Sequence, residues 1–245
     1  MSDENPLARS HQLLWEGLPA TTKGPKPTLT LEQIVSAGIE IADTEGIDAL
    51  SMRRLATTLG MGTMSLYRYI PSKTELLNLM LDHVSGTQLG RIDHDGGWRD
   101  TLTTAARRGR ELYLRHRWLL QVNWARPVLG PGSVAQMEEN MSGLTDLPFS
   151  DQQTMMVVSL LDAYVTGSVR EEILYDNAAV ESGMTEDAFW NNQLPMLVRA
   201  MESGKYPTMA SLDEDVFSAD WAETFELGLR FLLDGIECEV ARRRA

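Results

Sequence analysis

The stretch Ser51-Met52-Arg53-Arg54-Leu55-Ala56-Thr57-Thr58-Leu59-Gly60-Met61-Gly62-Thr63-Met64-Ser65-Leu66-Tyr67-Arg68-Tyr69-Ile70-Pro71-Ser72-Lys73 decides the fold. Ser51 stands where it can cap a short helix, Leu50 and Leu55 can staple it, and Gly60 follows Leu59 where a left-handed residue ends such a helix. The Gly60-Met61-Gly62 turn leads into a second short helix, Thr63 to Tyr69, which Pro71 stops by disfavouring helical geometry at Ile70. Two short helices across a glycine turn are the arrangement that presents a helix N-terminus to the major groove of DNA. The stretch holds Arg53, Arg54, Arg68 and Lys73 and no acid. Tyr67 and Tyr69 flank Arg68, so hydroxyls and a guanidinium can reach adjacent phosphates, and Lys73 adds a point charge. Thr63, Met64 and Ser65, in the exposed first turn, are short or unbranched enough to approach base edges, while Leu66 is expected between the helices. A solvated helix face is the plainer reading of the Tyr-Arg-Tyr cluster alone. The coincidence of acid-free charge, glycine turn and flanking caps favours DNA.

Upstream, Thr30-Leu31-Glu32-Gln33 is a capping box that opens a helix with Leu31, Ile34, Val35, Gly38, Ile39 and Ala42 at helical spacing and Gly46 beyond its end. Downstream, Ser72-Lys73-Thr74-Glu75 predicts a second capping box and a longer helix carrying Leu76, Leu77, Met80, Leu81 and Val84. Residues 1–27 show no apolar period and read as a flexible arm. Hairpin signals are missing apart from Asp95-Gly96 in a polar loop, so the expected fold is all-α.

Over residues 29–82 the chain resembles the tetracycline-repressor (TetR) family of bacterial transcriptional regulators. The resemblance rests on Leu50-Ser51-Met52-Arg53-Arg54-Leu55-Ala56, on Leu59-Gly60, and on Leu66-Tyr67-Arg68-Tyr69-Ile70-Pro71-Ser72-Lys73-Thr74-Glu75-Leu76-Leu77. It implies that Arg53, Thr63, Met64 and Ser65 face bases and that Ser51, Tyr67, Arg68, Tyr69 and Lys73 contact phosphates of a double-stranded operator. One departure is Gly62, where the family more often has a polar N-cap; glycine caps only a few tenths of a kcal/mol worse.

The net charge of −13 over 245 residues argues, taken globally, against an indiscriminate nucleic-acid binder. Its distribution reverses that reading: residues 23–80 hold six basic and six acidic side chains, whereas residues 81–245 hold 15 basic and 26 acidic ones. The expected organisation is an arm (1–27), a helix-turn-helix domain (28–82) and an acidic helical domain for ligand binding and dimerisation (83–245). The acidic part would be repelled by the duplex, which favours docking through the N-terminal end.

In that second part, Leu102, Ala105, Ala106, Leu112 and Tyr113 mark one face of a helix near 98–120, with the neighbouring arginines read as a solvated, ion-paired face. Ser150-Asp151-Gln152-Gln153 is a third capping box, opening a helix of about twenty-five residues that is apolar on most sides and therefore expected to be buried twice. The last helix repeats Phe225, Leu229, Leu232, Leu233, Ile236 and Val240 and ends in Arg242-Arg243-Arg244, favourable for its dipole. Pairing helices near 150–178 and 218–242 across a two-fold axis is what the resemblance implies, and a lone helix-turn-helix reads too few base pairs by itself. A homodimer is expected.

Tyr113, Trp118, Asn123, Trp124, Met137, Met141, Met155, Tyr164 and Trp190 are the candidate lining of a site for a small organic inducer, though each alone is more often core. Where the family's tetracycline binders carry a magnesium-holding histidine, Val122-Asn123-Trp124-Ala125-Arg126-Pro127 has Asn123, a poor metal ligand, so an apolar or aromatic ligand is expected. No cofactor or metal is implied. His11, His83, His94 and His116 include no i, i+4 pair, and the lone Cys238 reads as an inert thiol. No run approaches the roughly 18 apolar residues of a membrane span, and residues 1–27 lack a secretory apolar core, so a cytoplasmic protein is expected. The function read from the residues and the resemblance is a ligand-responsive repressor, with an activator as the alternative. An enzyme using the Trp- and Met-rich region is the rival class, disfavoured by the absence of a nucleophile elbow, phosphate loop or zinc-spaced ligand set.

Overall fold

The computed structural model describes residues 6–18, 29–87, 96–123, 127–213, 216 and 220–245. Every regular element among them is helical. In chain order these are α1 (Pro6–Glu16), α2 (Leu31–Glu45), α3 (Met52–Thr58), α4 (Thr63–Leu66), α5 (Lys73–Thr87), α6 (Gly97–Arg115), a 3-10 helix (Arg117–Leu120), α7 (Pro131–Ser142), α8 (Asp151–Ser182), α9 (Glu186–Glu202), α10 (Pro207–Ala210) and α11 (Trp221–Arg244). They form two compact units that part between Asp162 and Ala163.

The reciprocal capping boxes expected from the sequence are formed at two of three sites. Thr30 Oγ accepts from the Gln33 N–H at 3.1 Å while Gln33 Oε1 accepts from the Thr30 N–H at 2.9 Å. Ser150 and Gln153 make the same reciprocal pair at the start of α8. At Ser72 the arrangement differs: its hydroxyl accepts from the Thr74 N–H at 3.1 Å and donates directly to the buried Glu75 carboxylate. The glutamate is occupied by the hydroxyl, so the reciprocal box gives way to a side-chain pair.

In the first unit α2, α3, α4 and α5 close on Ile34, Leu55, Leu66, Ile70, Leu76 and Met80, all fully buried. Gly60 turns the chain between α3 and α4 at φ +65°, a conformation that L side chains rarely adopt. α5 packs on α2 and on α7, and α2 meets the 3-10 helix, so the packing is continuous past residue 82, where the composition shift had suggested a boundary. The physical reason is that α5 uses its other side for these contacts: Leu79, Leu81 and Val84 are buried as well as Leu76 and Met80.

Residues 6–16, read from sequence as part of a flexible arm, are instead a helix packed on α5. Leu13 and Ser10 are buried, Asn78 Nδ2 donates to Ser10 Oγ at 2.9 Å, and Trp15 Nε1 donates to the Leu129 carbonyl at 3.1 Å. The two long-range bonds of this helix go to partners 68 and 114 residues away, which a local reading of the sequence does not see. Residues 19–27 of that expected arm lie outside the described residues.

The second unit contains the C-terminal part of α8 with α9, α10 and α11. Val165, Val169 and Ile173 are buried on α8, as are Phe225, Leu229, Leu233, Ile236 and Val240 on α11, the stripe predicted for that helix. Tyr164 Oη donates to the Phe225 carbonyl at 2.5 Å, and its ring lies 5.5 Å from that of Phe225. α8 is longer than expected, 32 residues.

Candidate functional site

The short α4 and the turn that follows it are aimed by two buried side chains. Leu66 and Ile70 are completely covered, which rotates the remaining residues of the Thr63–Tyr69 segment outward. Met64 keeps 79% of its surface exposed; Tyr67 and Arg68 are exposed, and Thr63, Ser65 and Tyr69 are half-exposed. An unbranched, solvent-facing methionine in the first turn is free to approach a methyl group or base edge. Gly62 is the N-cap, with φ −72° and ψ 140° and no side chain to satisfy the first N–H groups, which leaves them available to an anion.

Around this turn the other nominated residues form a rim. Ser51 caps α3, its Oγ accepting from the Arg54 N–H at 3.1 Å, and Arg53 is exposed on the same helix. Arg68 Nη2 donates to Ser65 Oγ at 3.3 Å, which holds the guanidinium over the first turn. Lys73, the first residue of α5, places Nζ 3.3 Å from the Ile47 carbonyl, so its ammonium is anchored at the edge of the face.

Arg54 behaves differently from the rest of the acid-free stretch. Its Nε and Nη2 donate to the two Glu45 oxygens at 3.1 and 2.5 Å, and Nη1 donates to Thr58 Oγ1 at 2.6 Å. The bidentate hydrogen bond from Arg54 lowers the Glu45 carboxyl below its ordinary range and raises the guanidinium correspondingly. The basic face seen in sequence thus loses one charge to an acid contributed by α2, a pairing invisible within the stretch itself.

The residues nominated for ligand contact separate by unit. In the first, Tyr113 is buried and its hydroxyl donates to Asp162 Oδ1 at 3.3 Å. Desolvation raises the Asp162 carboxyl above its ordinary range, and the hydrogen bond from Tyr113 opposes this. Met137 and Val134 are exposed on α7, which among the described residues buries none of its side chains, and Met141 and Met155 are half-exposed. Asn123 is exposed, and Trp124 lies outside the described residues. Trp118 is 1% exposed and its Nε1 donates to Asp43 Oδ1 at 2.8 Å, so it offers no surface to a ligand in this structure. In the second unit, Tyr164 is committed to Phe225, and the half-exposed Trp190 packs edge-on against Phe189 with ring centres 5.5 Å apart.

Sequence reasoning passed over three carboxylates that the structure puts to use. Asp43 receives His116 as well as Trp118, Asp82 receives the start of α7, and Asp162 receives Tyr113. All three sit inside amphipathic helices, where an acid reads as surface; burial of His116 and of Asp82 is decided by partners distant in sequence. Among the described residues no group of three His, Cys, Asp or Glu could hold a metal ion, and no helix is long and apolar enough to cross a membrane.

Comparison with known proteins points one way. A family model described as "Bacterial regulatory proteins, tetR family" matches residues 34–80, and one described as "Tetracyclin repressor-like, C-terminal domain" matches residues 92–240. The HTH-type transcriptional repressor DrrR1 of Streptomyces coeruleorubidus is 46% identical over 99% of this chain and 90% of its own length. The tetracycline repressor protein class A from transposon 1721 of Escherichia coli is 26% identical, covering 86% of this chain and 90% of that protein. Among solved structures, the Streptomyces coelicolor TetR family protein ActR in complex with actinorhodin is 30% identical with a TM-score of 0.71, covering 87% of this chain and 99% of that one.

Proposed function

Because the chain belongs to the tetracycline-repressor family of bacterial transcriptional regulators, we propose that it is a homodimeric repressor that binds a palindromic operator through residues 28–82 and is released by a small organic inducer held by residues 83–245. The observation that carries the DNA reading is the orientation of the α4 segment: Leu66 and Ile70 inward, Met64, Tyr67 and Arg68 outward, on a face whose unpaired acids are absent from Ser51 to Lys73. Thr63, Met64, Ser65 and Arg53 read base edges; Ser51, Tyr67, Arg68, Tyr69 and Lys73 hold phosphates.

Dimerisation is supported by the apolar side chains left uncovered in the second unit. Leu174 and Val180 on α8 and Leu227 and Phe231 on α11 are exposed, Phe231 by 63%, on the helices whose other sides form the unit's core. A second copy offering the same surface would cover them in an isologous interface. Light scattering at micromolar concentration should give the dimer mass, and a monomer would end this part of the proposal.

For the inducer, support in the first unit comes from the half-open apolar residues Val134, Met137, Met141 and Met155 and from the buried Tyr113, with Asn123 and Trp124 as further candidates, while Tyr164 and Trp190 are candidates within the second unit by itself. ActR, which is similar over most of this chain, has been solved with actinorhodin bound. Asn123 in place of a metal-holding histidine argues against magnesium tetracycline. Inducer-driven displacement of α5 would change the spacing of the two reading heads, which requires a ligand with different affinities for the two spacings.

The test is retardation of the intergenic DNA upstream of the chain's own gene, titrated across salt concentrations. Native protein should bind with a steep salt dependence, and Arg68→Ala and Lys73→Ala should each weaken binding and reduce the slope by about one unit. An unchanged slope in both variants removes them from the interface. Magnesium tetracycline should leave the complex intact.

A further inference from the structure

Two acidic side chains of the proposed reading head reach out of it and accept hydrogen bonds from segments that follow residue 96. Asp43, in the last turn of α2, has His116 Nδ1 at 2.8 Å from one oxygen and 3.0 Å from the other, and Trp118 Nε1 donates to it at 2.8 Å. A carboxylate only accepts, so His116 presents Nδ1 protonated. Asp82, near the middle of α5, accepts from the Gly132 N–H at 3.1 Å, the Ser133 N–H at 2.8 Å and Ser133 Oγ at 2.8 Å, which caps the start of α7. Asp82, His116 and Trp118 are all buried.

These bonds are not what holds the helix-turn-helix together, since Ile34, Leu55, Leu66, Ile70, Leu76 and Met80 do that from within. We propose that Asp43 and Asp82 are positioning residues for DNA recognition, a two-point clamp that fixes the orientation of α2–α5 against the 3-10 helix and α7. The inference rests on the reading of Ser51–Lys73 as the DNA face.

Three features carry it. The attachments lie on different helices, and two separated points confine rotation to the axis that joins them, where one would leave a free pivot. Each carboxylate is met by several donors, so a partial slip leaves a charged acceptor or a donor unsatisfied, which makes the register discrete rather than elastic. The second point also has no slack: a Cβ on Gly132 would stand 2.2 Å from the Asp82 carbonyl oxygen, and one on Gly130 2.5 Å from Asp82 Cγ. Both anchor segments adjoin nominated ligand residues, the 3-10 helix preceding Asn123 and α7 bearing Met137 and Met141. A ligand that moved either segment would therefore move the reading head with it.

The clamp is tested with Trp118→Phe, which removes one donor and keeps most of the ring, together with Asp43→Asn and Asp82→Asn. Amide hydrogen exchange of α2–α5, the 3-10 helix and the start of α7 in the ligand-free full chain is compared with binding to the upstream intergenic duplex over a range of salt. Each variant should bind about tenfold more weakly, the equivalent of roughly 1.4 kcal/mol, with the native salt slope, and exchange about tenfold faster at the anchor it alters while α2–α5 keep the native rate. Faster exchange throughout α2–α5 would overturn the clamp, because the bonds would then hold the fold of the head rather than its orientation, and native affinity would overturn it as well. A changed salt slope would also overturn it. If Asp82→Asn does not fold, Trp118→Phe decides by itself. Failure of the native chain to retard the duplex would sink the DNA reading, and the exchange arm would still decide whether the clamp holds the head.

Discussion

Gly132→Ala adds one methyl group where a described glycine comes closest to another helix's backbone, and its cost follows from the geometry. The new Cβ would lie 2.2 Å from the Asp82 carbonyl oxygen, 3.0 Å from Gly86 N and 3.1 Å from Gly86 Cα. All three are backbone atoms of α5, so no side chain can rotate away. Restoring an ordinary carbon–oxygen contact of roughly 3.3 Å requires α5 and α7 to part by about 1 Å. That movement stretches the three hydrogen bonds to the Asp82 carboxylate, now 2.8 to 3.1 Å, past useful length. Overpacking by a methyl group and the loss of bonds to a buried carboxylate together come to about 3–5 kcal/mol. For a unit of this size the loss corresponds to a fall in Tm of about 10–15 °C. Differential scanning calorimetry of the full chain reads it directly. The control is Gly62→Ser, where backbone angles suit any residue and the nearest foreign atom is Ser65 Oγ at 3.9 Å; there a hydroxyl cap should add a few tenths of a kcal/mol. A Gly132→Ala protein that melts within about 2 °C of native would refute the reasoning, since 2–4 °C is the effect of a single kcal/mol.

Leu13→Ala should lower the stability of the first unit by about 2–4 kcal/mol in calorimetry, because α1 is part of its core; a native melting curve would return α1 to the status of an arm. Glu45→Gln releases Arg54 from its ion pair, so binding to the upstream duplex should tighten and its salt slope steepen in anisotropy titrations, and weaker binding would show that the pair aims Arg54 rather than silencing it. Asp162, whose carboxyl is raised by desolvation, binds a proton more readily folded than unfolded. Its contribution is therefore present below the unfolded value and is lost as pH rises through the folded one, so Asp162→Asn should flatten the decline of stability across that window in pH-dependent melts. An unchanged pH profile would show that the folded environment does not disfavour the charge.

Much of the proposed DNA face was legible because its determinants are local. Ser51, Gly60, Pro71 and the Thr30–Gln33 box act through neighbours within four residues, and the inward turn of Leu66 follows from helical period. The α8 cap and the α11 stripe were readable for the same reason. Legibility failed where a residue's role is set by a distant partner. Arg54 counted as one more basic charge of the acid-free stretch, whereas Glu45, on the preceding helix, holds it. Trp118 looked like a ligand contact because large aromatic side chains in a regulatory region invite that reading, whereas its indole N–H is taken by Asp43, 75 residues earlier. The helix at Pro6–Glu16 was missed because the partners that Ser10 and Trp15 bond, Asn78 and Leu129, are distant in sequence.

The sequence by itself determined the helical class, the caps, the helix-turn-helix and the side of it that faces outward, all consequences of short-range backbone chemistry and period. Only the tertiary structure decided what that head is attached to. The attachment includes carboxylates on α2 and α5 meeting donors at His116, Trp118, Gly132 and Ser133, and a glycine contact between two backbones. Such contacts leave no periodic trace, because a buried aspartate differs from a surface one only in the partner that the fold brings to it.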